Sequence, residues 1–201
     1  MEPLIELFAA SPLRADLVDG VGRLTFTEPT RGNPVDGPFC EALAQAANIL
    51  TRDRRVRAIL ITADGQAFSV GGDLKTFQGP QSDWPADIRR KTALLNNAVL
   101  AFQGGDAPIV AAVNGVCAGG MAALVAGCDF ILAADEARFV SAYAGIAFSC
   151  DVGASVMLPR RMGEARARRF LLLNEKLTAQ QALDAGLVDI VVPSDSLVSQ
   201  A

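Results

Sequence analysis

Apolar positions along the chain fall into two rhythms, short continuous runs and longer stretches that recur every three to four residues. Residues 58–62, Ala-Ile-Leu-Ile-Thr, and 109–113, Ile-Val-Ala-Ala-Val, are continuous runs of the kind expected of strands buried on both faces. Phe39, Leu43, Ala46 and Leu50 share one face at helical spacing, which predicts a helix from about Pro38. Asp36 or Gly37 can cap it, and Pro38 is tolerated in a first turn. The first 27 residues read as strands, with 13–18 and 23–27 flanking the hairpin signal Asp19-Gly20.

The same reading continues to the end of the chain. Glu28-Pro29 and Gly32-Asn33-Pro34 mark a loop, and residues 79–83 a second, polar one. Helices are expected over 86–103, 121–126, 153–158 and 164–173, and strands over 130–134 and 138–141. Thr178-Ala179-Gln180-Gln181 is a capping box that opens a helix, Gly186 is placed to end it, and 187–192 is a last strand. No strict repeat appears. The recurrence of strand, glycine turn and helix predicts an α/β fold of stacked ββα turns rather than one open sheet. Residues 1–193 form its core, and 194–201 begin a helical region that stops without a helix ending, which reads as a truncated chain.

Two of the turns stand out. Ala67-Phe68-Ser69-Val70-Gly71-Gly72-Asp73-Leu74-Lys75 follows the first apolar run, and Asn114-Gly115-Val116-Cys117-Ala118-Gly119-Gly120 follows the second. Glycine lets a chain bend sharply and lets a ligand approach its backbone. Two bare N–H groups aimed at one point form an oxyanion hole. Each glycine pair alone is equally suited to tight strand-to-helix packing.

Composition narrows the chemistry. The chain has 201 residues, 51% of them apolar, enough for one sizeable core or two small ones. The formal net charge of −4 argues against a general nucleic-acid binder. No apolar run approaches the ~20 residues that span a bilayer, and Met1-Glu2-Pro3 does not begin a signal peptide, so a cytoplasmic protein is expected. Histidine is absent, which removes Ser-His-Asp and Cys-His nucleophile systems and histidine-ligated zinc. Cys40, Cys117, Cys128 and Cys150 form no C-x-x-C and read as inert thiols, so no metal site is expected. The arginines at 52, 54, 55, 57, 166, 168 and 169 are interleaved with Asp53 and Glu164, the pattern of a solvated helix face.

The ordered set of motifs resembles the crotonase superfamily, the enoyl-CoA hydratases and isomerases. Its pieces are Asn33-Pro34-Val35-Asp36, the block 67–75, Ala112-Val113-Asn114-Gly115 leading to Gly119-Gly120, and Cys128-Asp129 with Phe139. Residues 151–155, 158–163 and 185–188 complete it. The resemblance implies a crotonase-like spiral with the C-terminal helical region largely missing. It implies that the N–H groups of Gly72 and Gly120 hold the thioester oxygen of an acyl-CoA. Coenzyme A is then part of the substrate, and no separate cofactor is needed. Ala67, Ser69, Gly71, Asp73, Leu74 and Lys75 would lie along the coenzyme A arm. A homotrimer or hexamer is implied where the C-terminal helices are present.

Departures from the family pattern choose among its reactions. Hydratases use two glutamates. Here the corresponding positions are Ala123 and Tyr143, and neither is a carboxylate. Asp151 aligns instead with the single acid of the family's isomerases, with apolar Ala147, Phe148 and Val152 nearby. It would carry a proton from one carbon to another. The plain alternative is that Asp151 only caps the following helix. Tyr143 can hydrogen-bond a substrate or simply pack. Hydration by an atypical base, hydrolysis, ring chemistry, decarboxylation and a silent coenzyme A-binding homologue remain alternatives to isomerisation.

Overall fold

A computed structural model describes residues 3–78 and 83–201, so most of the expected polar loop at 79–83 lies outside the described residues. The chain opens with strands β1 (Ile5–Ala10), β2 (Leu13–Val18) and β3 (Val21–Phe26). A short β4 (Pro34–Val35) precedes helix α1 (Gly37–Arg52). Strands β5 (Ala58–Ala63), β6 (Ala67–Ser69) and β7 (Gly71–Gly72) lead to α2 (Trp84–Gln103). The motif recurs as β8 (Ile109–Val113), β9 (Val116–Ala118) and α3 (Gly120–Ala126). It recurs again as β10 (Phe130–Ala134), β11 (Arg138–Val140) and the pair α4 (Ala154–Met162) and α5 (Glu164–Leu172). Last come β12 (Lys176–Thr178), α6 (Ala179–Asp184), β13 (Ile190–Val192) and α7 (Leu197–Gln200).

Seven strands form one sheet in the order β1-β2-β3-β5-β8-β10-β13, and four form a second in the order β12-β11-β9-β6. From β3 to β13 the large sheet is parallel. The three turns that begin at β5, β8 and β10 each give one strand to the large sheet, one to the small sheet and then a helix. This is the stacked ββα arrangement expected from the sequence.

Local chemistry sets these elements. Asp36 caps α1 by accepting the Phe39 N–H at 3.1 Å. The predicted face of α1 is buried, and the Phe39 and Phe68 rings meet Phe26 edge-on at 5.0 and 5.1 Å. Two acids pin successive parallel strands by accepting backbone N–H groups at 2.8 Å, Asp129 from Ile109 and Asp189 from Ile131. Arg161 ties the second of these to α4 through Asp189 Oδ1 at 2.9 Å. Arg55 pairs with Asp53, Arg168 with Glu164, and Arg166 and Arg169 with Glu175, all at the surface.

Three expectations are corrected. The last strand is β13 alone, because Leu187 and Val188 turn back and both donate to Ala182 O at the end of α6. The helix expected to stop before Pro159 runs on to Met162, where Arg161 bonds the Cys128 and Asp129 carbonyls at 2.9 and 3.2 Å. β12, unforeseen, pairs antiparallel with β11.

Candidate active site

Strands β6 and β9 lie side by side in the small sheet, so the two glycine turns that follow them become neighbours. Gly71 and Gly119 have φ of +84 and +59°, conformations that other residues rarely adopt. Across the β4–β7 pair, Asp73 N donates to Val35 O at 3.1 Å, and Val35 stands opposite Gly72. The ladder bond thus passes over Gly72 and leaves its N–H facing the other way. Gly120 is the first residue of α3, so its N–H has no partner inside the helix. The helix dipole also favours negative charge at that point.

Both glycines open onto a cavity of about 180 Å³. Helix α2 presents Ile88, Lys91, Thr92 and Leu95 to it, a stripe at helical spacing, and Val35, Val70, Leu74, Ile146 and Phe148 supply most of the remaining apolar wall. Cys40 also lines it, and burial pushes its thiol up to about 12, so it stays neutral. Lys91 is paired with Asp87 at 2.5 Å.

Asp151 stands directly over Gly120. A Cβ built on Gly120 would lie 3.5 Å from Asp151 Oδ1, 3.6 Å from the Tyr143 hydroxyl and only 2.7 Å from Val152 Cγ2. Tyr143 donates to Asp151 Oδ1 at 2.8 Å, and Thr92 reaches Oδ2 at 3.4 Å. Burial raises the Asp151 carboxyl above its ordinary range, and the hydrogen bonds from Tyr143 and Thr92 oppose that rise. Burial first, and then the Asp151 charge, push the Tyr143 phenol well up, so it remains protonated. Ala142, Ala147 and Val152 all have positive φ, 61, 58 and 52°. Such strain costs of the order of 1–3 kcal/mol per residue and gathers at sites whose geometry the surroundings enforce. Here it brackets Tyr143 and Asp151.

Asp151 is not the cap of α4. Gly153 occupies that position, and the Asp151 side chain turns to Tyr143 instead. Ala123 is 1% exposed and faces a separate small void beside Val99, Phe102 and Met157, away from the cavity. Of the remaining residues singled out from sequence, Asp73 and Leu74 line the cavity, whereas Ala67, Ser69, Gly71 and Lys75 are outside its lining. Ser69 is fully buried and braces the first turn, donating to Asn33 O at 2.7 Å and accepting Gly71 N–H at 3.1 Å. Arg31 holds Asp73 and Asp36 together at 2.9 and 2.8 Å. Sequence reasoning missed Thr92, although a threonine set within the α2 stripe of Ile88 and Leu95 was a visible signal.

The chain belongs to the enoyl-CoA hydratase/isomerase family, whose family model matches residues 16–201. It is 33% identical over 180 residues to a trans-2-decenoyl-(acyl-carrier-protein) isomerase of Streptococcus mutans, covering 89% of this chain and 68% of that one. It is 34% identical over 186 residues to the 1,2-epoxyphenylacetyl-CoA isomerase of Escherichia coli, covering 90% and 70%. The crystal structure of an enoyl-CoA hydratase from Mycobacterium avium subsp. paratuberculosis superposes with a TM-score of 0.86 at 30% identity, covering 96% of this chain and 76% of that one. Among the described residues, no helix is long and apolar enough to cross a membrane.

Proposed function

We propose that the protein is an acyl-CoA enzyme that shifts a carbon–carbon double bond, with Asp151 as the proton shuttle. The observation that carries this reading is the position of Asp151 against Gly120, 3.5 Å from where a Cβ would stand. The thioester oxygen sits between the N–H groups of Gly72 and Gly120. The Asp151 carboxylate takes a proton from the carbon beside the thioester, and the C–H electron pair moves into an enolate. The two N–H donors stabilise the negative oxygen. The proton, now on Asp151, is returned to the far carbon of the conjugated system, and the double bond ends one position along. Nothing is oxidised or lost.

Three features support this over hydration. Ala123 and Tyr143 offer no carboxylate, so no pair of acids surrounds a water. The wall opposite the glycines is apolar, suited to a hydrocarbon acyl group. The raised Asp151 carboxyl is nearer the range in which a base works efficiently. Asp73, the other acid on the cavity, is held by Arg31.

The test is Asp151→Asn assayed on a 3-enoyl-CoA. Isomerisation should fall by roughly 10²–10⁴-fold, the usual contribution of a positioned acid–base group. Binding of the CoA ester should stay nearly intact. Full retained activity overturns the reading.

A further inference from the structure

We infer that Tyr143 is a positioning residue for Asp151: its hydroxyl fixes Oδ1 and leaves Oδ2 as the atom that carries the proton. This rests on the proposed role of Asp151. The two carboxylate oxygens are held unequally, Oδ1 by Tyr143 at 2.8 Å and Oδ2 by Thr92 at 3.4 Å. The first is a short, full-strength bond, and the second is too long to block a lone pair. Tyr143 is itself immobile. It is 9% exposed, it follows Ala142 at φ +61°, and it precedes a turn closed by Ala147 at φ +58°. A carboxylate anchored at Oδ1 can rotate little, so Oδ2 keeps a constant direction on the side of Thr92, which itself lines the cavity.

The pair also changes state as the proton moves. While Asp151 is charged, the Tyr143 hydrogen points at Oδ1. Once Oδ2 has taken the substrate proton, Asp151 is neutral and its claim on that hydrogen weakens. The hydroxyl lies 3.6 Å from the Cβ position of Gly120. Tyr143 thus favours the ionised base before transfer and does not compete for the proton after it.

Among the described residues, the other charged or titratable groups that line the cavity are Cys40, Lys91 and Asp73. From α1 comes Cys40, kept neutral by burial. From α2 comes Lys91, paired with Asp87. From the first glycine turn comes Asp73, held by Arg31. Cys150 adjoins Asp151 in sequence.

Tyr143 is the sole tyrosine, so growth on 3-fluorotyrosine labels this position alone. The fluorine resonance of the labelled protein should show an inflection in the acid range that reports Asp151. Asp151→Asn should remove it. Tyr143→Phe, which keeps the ring, should lower kcat on a 3-enoyl-CoA about a hundredfold, the scale of a misplaced reacting group, with KM little changed. Because the hydroxyl stabilises the charged carboxylate, its loss should move the acid limb of kcat/KM to higher pH. The more acidic fluorotyrosine should move that limb to lower pH. A featureless fluorine titration, or Tyr143→Phe with unaltered kcat and limb, overturns the inference while Asp151 keeps its role. An active Asp151→Asn instead overturns the proposed reaction, and the fluorine titration reads the pair even if Tyr143→Phe fails to fold.

Discussion

The turn at Gly71–Gly72 is braced by hydrogen bonds of polar side chains, whereas the turn at Gly119–Gly120 is wedged beneath Val152. In the first, Ser69 links Gly71 to Asn33, and Arg31 ties Asp73 to Asp36. The space above Gly72 is open, with no atom of the described residues within 4 Å of a built Cβ. In the second, a Cβ on Gly120 would strike Val152 Cγ2 at 2.7 Å. The leading glycine of each pair is required by its positive φ. The trailing glycine is required by space in one turn and not in the other. One proposed donor is therefore set by a hydrogen-bonded frame and the other by packing, and they should fail differently.

The largest effect is expected from Gly120→Ala. The added methyl must displace Val152, which already holds a strained backbone, and with it Asp151. Overpacking of this kind costs about 1–3 kcal/mol, visible in chemical denaturation. Activity should fall by roughly a hundredfold or more, since donor and base move together. Next comes Ser69→Ala, which leaves a buried carbonyl of Asn33 and the Gly71 N–H without their partner. It should cost about 1–3 kcal/mol, with a smaller loss of kcat because Asp151 is untouched. Smallest is Gly72→Ala, which keeps the N–H and meets nothing. Stability should change by less than about 0.5 kcal/mol, and activity by no more than a few-fold. A Gly72→Ala protein as damaged as Gly120→Ala would erase the distinction between the turns.

The strands at 58–63 and 109–113, the α1 cap at Asp36 and the Thr178 capping box were legible in the sequence because each depends on residues close together. So was the acid at 151 as a candidate base. The contact between Tyr143 and Asp151 was not. It arises from left-handed backbone at Ala142, Ala147 and Val152, residues whose types give no hint of it. The same hidden bend takes the capping role from Asp151 and gives it to Gly153. Ser69 was assigned to a ligand arm by likeness, but its burial and its two bonds depend on where Asn33 lies, thirty-six residues away in sequence.

The order of strands in the large sheet carries a consequence for synthesis. From β3 onward, β5, β8, β10 and β13 are each added beside the strand made just before. In the small sheet β6, β9, β11 and β12 follow the same rule. A chain leaving the ribosome can therefore pair each new strand of a sheet with one already made. No early strand waits long for a distant partner with its edge bare. The residues of the proposed site are made on the same schedule: Gly72 first, Gly120 next and Asp151 last. The proposed base thus arrives only when the two glycine turns it faces already exist.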